Sequence, residues 1–189
     1  MRDYREIINF WRYHEYLHLY KVEGLHDKLC EEKEYYLYEY EKGKEYRDKE
    51  GSANVPLRSD RYEFMNEVCR FITKEYYNVS DDWESTCCNA YIQDKDNYRD
   101  VWHHHMKDTS ITATAYIDPP EPDNGGELEL WYPPQDPFKY HPEKDVIAFF
   151  PSWLLHRPLP QTIDEKRICL NWGYISYTRP TNKLTGDRW

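Results

Sequence analysis

Ser110-Ile111-Thr112-Ala113-Thr114-Ala115-Tyr116-Ile117 is the stretch whose reading decides the fold. On an extended chain Thr112, Thr114 and Tyr116 share one face, while Ala113, Ala115 and Ile117 share the other. That period of two is the mark of a strand lying between two different environments. Segments 85–92, 127–131, 146–150 and 167–177 read as strands too, each short and bounded by Pro, Gly, Asp or Asn. Five short strands so spaced predict an α+β, mainly β chain, with a sandwich or jelly roll as its centre and helices packed outside.

Working back toward the N-terminus, the period changes. Residues 61–77 predict an amphipathic helix, with Phe64, Val68, Phe71, Ile72 and Tyr76 at helical spacing on its core face. Residues 25–42 predict a polar helix ended by Gly43, with a thin apolar stripe of Leu25, Leu29, Tyr36 and Tyr40. Residues 44–59, with Gly51 and Pro56, read as a loop. Residues 12–23, rich in Tyr and His, read as extended, either an added strand or a substrate wall. We expect a single domain over 1–189: a helical and extended support region at 1–83, a jelly-roll core at 84–178 and a C-terminal tail at 179–189.

Composition narrows the function. The 189 residues carry 25 Lys and Arg against 35 Asp and Glu, a net charge of −10. That charge argues against gripping a nucleic-acid backbone or an anionic membrane. No apolar run reaches transmembrane length, and the first residues lack the apolar core of a signal peptide. Aromatics at 17%, including 19 Tyr, argue for a folded chain. Cys30, Cys69, Cys87, Cys88 and Cys169 form no CxxC pair, and we expect reduced thiols in a cytoplasmic protein.

Three histidines stand in a row, His103, His104 and His105, and His156 follows the strand at 146–150. Extended chain puts His103 and His105 on one face and turns His104 away. Imidazole is the commonest protein ligand for transition metals, and in a jelly roll distant strands become neighbours. The residues therefore suit a metal site closed by His156, and equally a solvated loop with a half-buried His156.

Tyr116, the strand opened by Gly125-Gly126, Phe149-Phe150-Pro151-Ser152-Trp153-Leu154-Leu155-His156 and Arg167 eleven residues on occur in that order. Together they resemble the Fe(II)/2-oxoglutarate-dependent oxygenases of the prolyl-hydroxylase-like branch. Within it, the likeness is to the oxygenases common in phages and marine bacteria that carry HxH where HxD is usual. The resemblance covers residues 85–178 and implies a double-stranded β-helix with N-terminal helices outside. It implies an oxygenase that couples 2-oxoglutarate decarboxylation to C–H hydroxylation, using Fe(II), 2-oxoglutarate and O₂. On the matching positions it implies His103, His105 and His156 as metal ligands, with no further catalytic side chain.

It also implies Arg167 at the far carboxylate of the cosubstrate, where a planar guanidinium fork suits a carboxylate; the plainer alternative is a surface ion pair. Tyr116 matches the hydroxyl that shares that carboxylate, Thr114 shares its face, and Leu128 and Asn171 match pocket-lining positions. Gly125 and Gly126 read as a turn entering a strand, Ile147, Phe149 and Trp153 as core, and Lys166 as facing away from Arg167. The match departs at position 105, where His stands for the usual carboxylate. Either three His hold the iron, or Asp108 loops back; His104 substitutes if the register slips. The substrate is a small molecule or a peptidyl residue. The rival is a cupin-like metal-dependent dioxygenase, or a metal-binding jelly roll, that needs no 2-oxoglutarate and no cation at 167.

Overall fold

A computed structural model describes residues 3–43, 57–58, 63–79, 87–96, 98, 101–106 and 109–189. Strands β1 (Ile8–His14) and β2 (Leu17–Val22) form a hairpin, followed by helices α1 (Leu25–Cys30) and α2 (Lys33–Lys42). Then come β3 (Leu57–Arg58), α3 (Glu63–Tyr76), β4 (Tyr77–Asn78), β5 (Cys87–Gln93) and β6 (Ile111–Ile117). The chain continues through β7 (Leu128–Trp131), β8 (Phe138–Tyr140), β9 (Val146–Pro151), β10 (Leu155–Pro158), β11 (Arg167–Tyr174) and β12 (Thr181–Asn182).

Seven strands make one antiparallel sheet in the order β1-β2-β9-β6-β11-β5-β3, and β10-β7-β8 make a smaller one. The alternation read from the sequence sorts the two faces of the large sheet. Ala113, Ala115, Ile117, Ile168, Leu170 and Trp172 join Val68, Phe71 and Ile72 of α3 in one core under the helices. On the opposite face Leu17, Leu19, Ala148 and Phe150 pack against Leu128, Leu130 and Tyr140 of the small sheet. Each fully buried Leu, Ile or Phe contributes about 1.5–3 kcal/mol, so both interfaces hold the sheets in place. Toward the β6–β11–β5 side this second layer thins, and Thr114, Tyr116, Arg167 and Cys169 take the place of apolar side chains.

The register sets that polar row. Asn171 lies opposite Thr114, Cys169 opposite Tyr116 and Tyr91, and Arg167 opposite Gln93. β11 is flanked on both sides, so Arg167 opens an interior strand and not an edge.

Three expectations are corrected, and the extended segment at 12–23 is added strand, one of its two readings. The single helix over 25–42 is two, broken at Glu31 and Glu32. α1 meets β6 and α2 meets β5; because a sheet twists from strand to strand, the break lets the stripe Leu25, Leu29, Tyr36 and Tyr40 stay buried across it. The extended segment at 12–23 is parts of two strands, β1 and β2, that widen the large sheet at its β9 side. The loop expected at 44–59 lies largely outside the described residues, but Leu57–Arg58 pairs with β5.

Residues 179–189, expected as a tail, are packed. β12 pairs with β4, Trp189 is buried, and Asp187 accepts hydrogen bonds from Arg12 and from the fully buried His18. Cys30, Cys69 and Cys169 are free thiols. Among the described residues no helix is long and apolar enough to cross a membrane.

Candidate metal centre and its cavity

The approach to β6 and the strand β10 bring the histidines together through the backbone. The His103 N–H donates to the His156 carbonyl at 3.1 Å and the His156 N–H to the His103 carbonyl at 3.0 Å, an antiparallel bridge. The His105 N–H donates to the Ser152 carbonyl at 2.8 Å, fixing the second residue of the pair. Extended geometry then aims His103 and His105 to one side. Nitrogen atoms of His103, His105 and His156 all lie within 4.8 Å of one another. His104 is exposed, its Nδ1 accepts from the Met106 N–H, and it is not among the three converging rings. Asp108, the alternative carboxylate, lies outside the described residues.

The donor set suits a metal on three counts. His103 Nδ1 sits 2.9 Å from the Val101 carbonyl, and His156 Nδ1 sits 2.9 Å from the Leu154 carbonyl. A carbonyl only accepts, so each ring carries its proton on Nδ1 and keeps the basic lone pair on Nε2. His156 Nε2 lies 3.2 Å from His105 Nε2. Two nitrogens bound about 2.1 Å from one ion stand roughly 3.0–3.4 Å apart, depending on the geometry. Finally, burial, and then the neighbouring His103 and His105, push the His156 imidazole well below the ordinary histidine range. A neutral imidazole is the form that ligates.

The imidazoles of His103 and His156 stand at one end of a cavity between the two sheets. His103 and His156 line it, with Phe150 set edge-on to His156 at a ring separation of 4.9 Å. Thr114, Tyr116, Leu128 and Asn171, the four expected pocket residues, line the same cavity. Thr112, on the same face of β6, does not; its hydroxyl pairs with Ser152 at 2.8 Å under the His105 contact. Of the residues read as core, Ile147 and Phe149 are fully buried. Trp153 is half-buried between Tyr16 and Tyr132.

Arg167 is 2% exposed and stands behind the cavity wall. Its Nη2 donates to Gln93 Oε1, its Nη1 donates to the Gly126 carbonyl, and its guanidinium carbon lies 5.7 Å from the Tyr116 ring centre. Its Nε has no partner. Among the described residues no carboxylate pairs with it, while its neighbour Lys166 turns outward to Glu41 at 2.9 Å. Gly126 is therefore more than a turn. It has φ +79, and a Cβ there would meet Pro120 at 2.6 Å and Arg167 Nη1 at 3.0 Å.

Four cavity residues escape a reading of the sequence by motif: Tyr91, Gln93, Pro158 and Cys169. Gln93 and Tyr91 sit on β5 opposite Arg167 and Cys169, and only the strand register could have pointed to them. Cys169 Sγ pairs with the Thr114 hydroxyl at 2.8 Å; burial pushes its thiol up, away from reactivity.

A second cluster, His26, Cys30 and Asp118, also gathers potential ligands. There Asp118 already accepts from His26 at 3.0 Å and from Lys33, an ion-pair network that ties α1 and α2 to the end of β6.

No family model matches the chain, and no curated protein matches it. Among solved structures it is similar to a prolyl-4-hydroxylase of Pseudomonas putida, with 17% identity and a TM-score of 0.50, over 64% of this chain and 67% of that one. It is also similar to a prolyl hydroxylase of Trichoplax adhaerens, solved with a hypoxia inducible factor oxygen degradation domain peptide fragment. Here identity is 16% and the TM-score 0.51, over 65% of this chain and 62% of that one. The chain thus spans about two thirds of the length of these structures and has their fold.

Proposed function

We propose that this chain is an Fe(II)- and 2-oxoglutarate-dependent oxygenase of hydroxylase type, working between the two sheets of a double-stranded β-helix. The observation that carries the reading is Arg167. A guanidinium buried with only neutral acceptors is costly, because burial strips its hydration and no opposite charge offsets the loss. It calls for an anion, and it touches the wall of the cavity that two of the three converging imidazoles line. A cupin-like enzyme without 2-oxoglutarate has no use for that cation.

Iron and 2-oxoglutarate, when bound, supply the oxidising chemistry, with the cosubstrate leaving as succinate and CO₂. The chain's own residues bind and orient. His103, His105 and His156 hold the metal, with the Val101 and Leu154 carbonyls keeping two of the rings in the ligating tautomer. Three neutral imidazoles leave the centre one charge more positive than two His and a carboxylate would, which favours a dianionic cosubstrate. The far carboxylate is received at the end of the cavity that Tyr116 lines, with the charge of Arg167 close behind the wall, and Thr114 and Asn171 line the path between. Leu128 and Phe150 keep water from that path, which strengthens the electrostatic grip.

For the substrate we favour a peptidyl residue, supported by the peptide present in the Trichoplax adhaerens structure. The aromatic rim beside His103 suits such a chain: Trp102 and Trp131 rings stand 5.5 Å apart and Arg157 stacks 4.6 Å over Trp102. The test is an anaerobic titration of the Fe(II) protein with 2-oxoglutarate. We expect a weak visible charge-transfer band that saturates at one equivalent. Fe(II) binding without such a band would refute the reading in favour of a cupin-like enzyme.

A further inference from the structure

Gln93 is 3% exposed, lines the cavity, and belongs to none of the groups that a motif would select. Its amide orientation is fixed: Oε1 accepts from Arg167 Nη2, and a guanidinium can only donate. Its Nε2 therefore points the other way, and that atom is buried with no hydrogen-bond partner. Arg167 Nε, on the other side of the same contact, is buried and unpartnered as well. Two orphaned donors joined by one hydrogen bond are an expensive arrangement for an empty purpose, since each forfeits its hydration. Tyr116, 4% exposed, closes the third side with its ring against Arg167.

We infer that Gln93 is a direct ligand of the cosubstrate's far carboxylate, donating through Nε2 and carrying the charge of Arg167 to the cavity surface. Arg167 stands behind the wall and Gln93 is in it, so the amide is the group an anion in the cavity meets. A donor whose own oxygen is bonded to a guanidinium is polarised and becomes a stronger donor. Gln93 then sets specificity as well. A 2-oxo acid ending in a methyl group would leave Nε2 unsatisfied, whereas a carboxylate satisfies it.

The inference rests on the 2-oxoglutarate reading above, and the experiment separates the two. Zn(II)-loaded protein, which is diamagnetic, is titrated with 2-oxoglutarate and with 2-oxopentanoate, which has the same five carbons without the far carboxylate. Affinities are read by calorimetry. The Gln93 side-chain amide is followed by NMR, assigned in the wild type so that the readout does not depend on a variant folding. We expect wild type to prefer 2-oxoglutarate, with the Gln93 amide protons moving downfield for it and not for 2-oxopentanoate. Gln93→Leu should lower 2-oxoglutarate affinity by about ten- to a hundredfold and leave 2-oxopentanoate affinity unchanged. A Gln93 amide that stays still at saturating 2-oxoglutarate, or an equal loss for both acids in Gln93→Leu, overturns the inference while the oxygenase reading stands. Equal wild-type affinity for the two acids overturns both.

Discussion

Arg167→Met is the substitution that bears hardest on the cation argument. Methionine keeps much of the length and removes the charge. Truncating one partner of a buried, hydrogen-bonded charge pair costs about 2–5 kcal/mol of binding, or roughly 30- to several-thousandfold in 2-oxoglutarate affinity. Metal affinity should not change, because Arg167 contacts Gln93, Gly126 and Tyr116 and none of the imidazoles. Two effects on the free protein oppose each other. Losing the donors to Gln93 and Gly126 destabilises, while removing an unpaired buried charge stabilises. Their difference should stay within about 2 kcal/mol.

Thermal unfolding of the Zn(II) protein reads all of this together. At a hundred times its dissociation constant, 2-oxoglutarate should stabilise wild type by about 2.7 kcal/mol. For a chain of this size that is roughly 5–11 °C, and Arg167→Met should show no such rise at the same concentration. Calorimetry with Zn(II) alone gives the metal affinity. An equal loss of metal and cosubstrate binding would make Arg167 a structural residue and refute the reasoning. So would a variant that is stabilised by 2-oxoglutarate as strongly as wild type.

Other residues make separate demands. His105→Ala should weaken Fe(II) binding at least as much as the 10–100-fold typical of losing a ligand's supporting partner, whereas His104→Ala should leave it unchanged; equal effects in a calorimetric titration would mean the register is off by one. Gly126→Ala forces a side chain into the left-handed region and against Pro120 and Arg167, so we expect about 1–3 kcal/mol of destabilisation in urea melts, together with weaker 2-oxoglutarate binding. The buried His18 contributes a pH dependence of its own. Burial outweighs its contact with Asp187 and lowers its pKa to about 4, consistent with a neutral ring whose Nε2–H donates to Asp187 and whose Nδ1 accepts from Tyr77 and Asn182. The unfolded chain, with an ordinary pKa near 6.5, binds that proton first, so stability should fall by roughly 3 kcal/mol as pH drops from 6.5 to 4 and level off below. A His18→Gln variant should lose that slope relative to wild type, and identical slopes would place the titration elsewhere.

A neutral ligand set changes what the rest of the cavity must do. With a carboxylate ligand, part of the metal's charge is cancelled before any cosubstrate arrives. Under the proposed three-imidazole centre, the opposing charge would come from the cosubstrate itself. The cavity has no described acidic side chain among its lining residues, and a buried cation stands behind its wall. The net charge of −10 thus does not come from the described residues that line the cavity.

The period-two segments determined their own strands, because alternation fixes which side chains leave which face whatever the neighbours are. On the same ground Thr114 and Tyr116 were legible as one face, and His103 and His105 as a pair with His104 turned away. The order of His103, His156 and Arg167 along the chain was legible too, since a motif is a statement about order. What pairs with what was not. The docking of the β1–β2 hairpin on β9, the burial of Trp189 and the break after α1 follow from packing between segments far apart in the chain, which no local period encodes. Tertiary structure alone decided that His156 meets His103 through the backbone and that Gln93 falls opposite Arg167, because strand register is chosen by the burial of two whole faces at once. It also decided that the guanidinium stands behind the cavity wall, since its depth depends on the Gly126 carbonyl arriving from the loop before β7 and the Tyr116 ring arriving from β6.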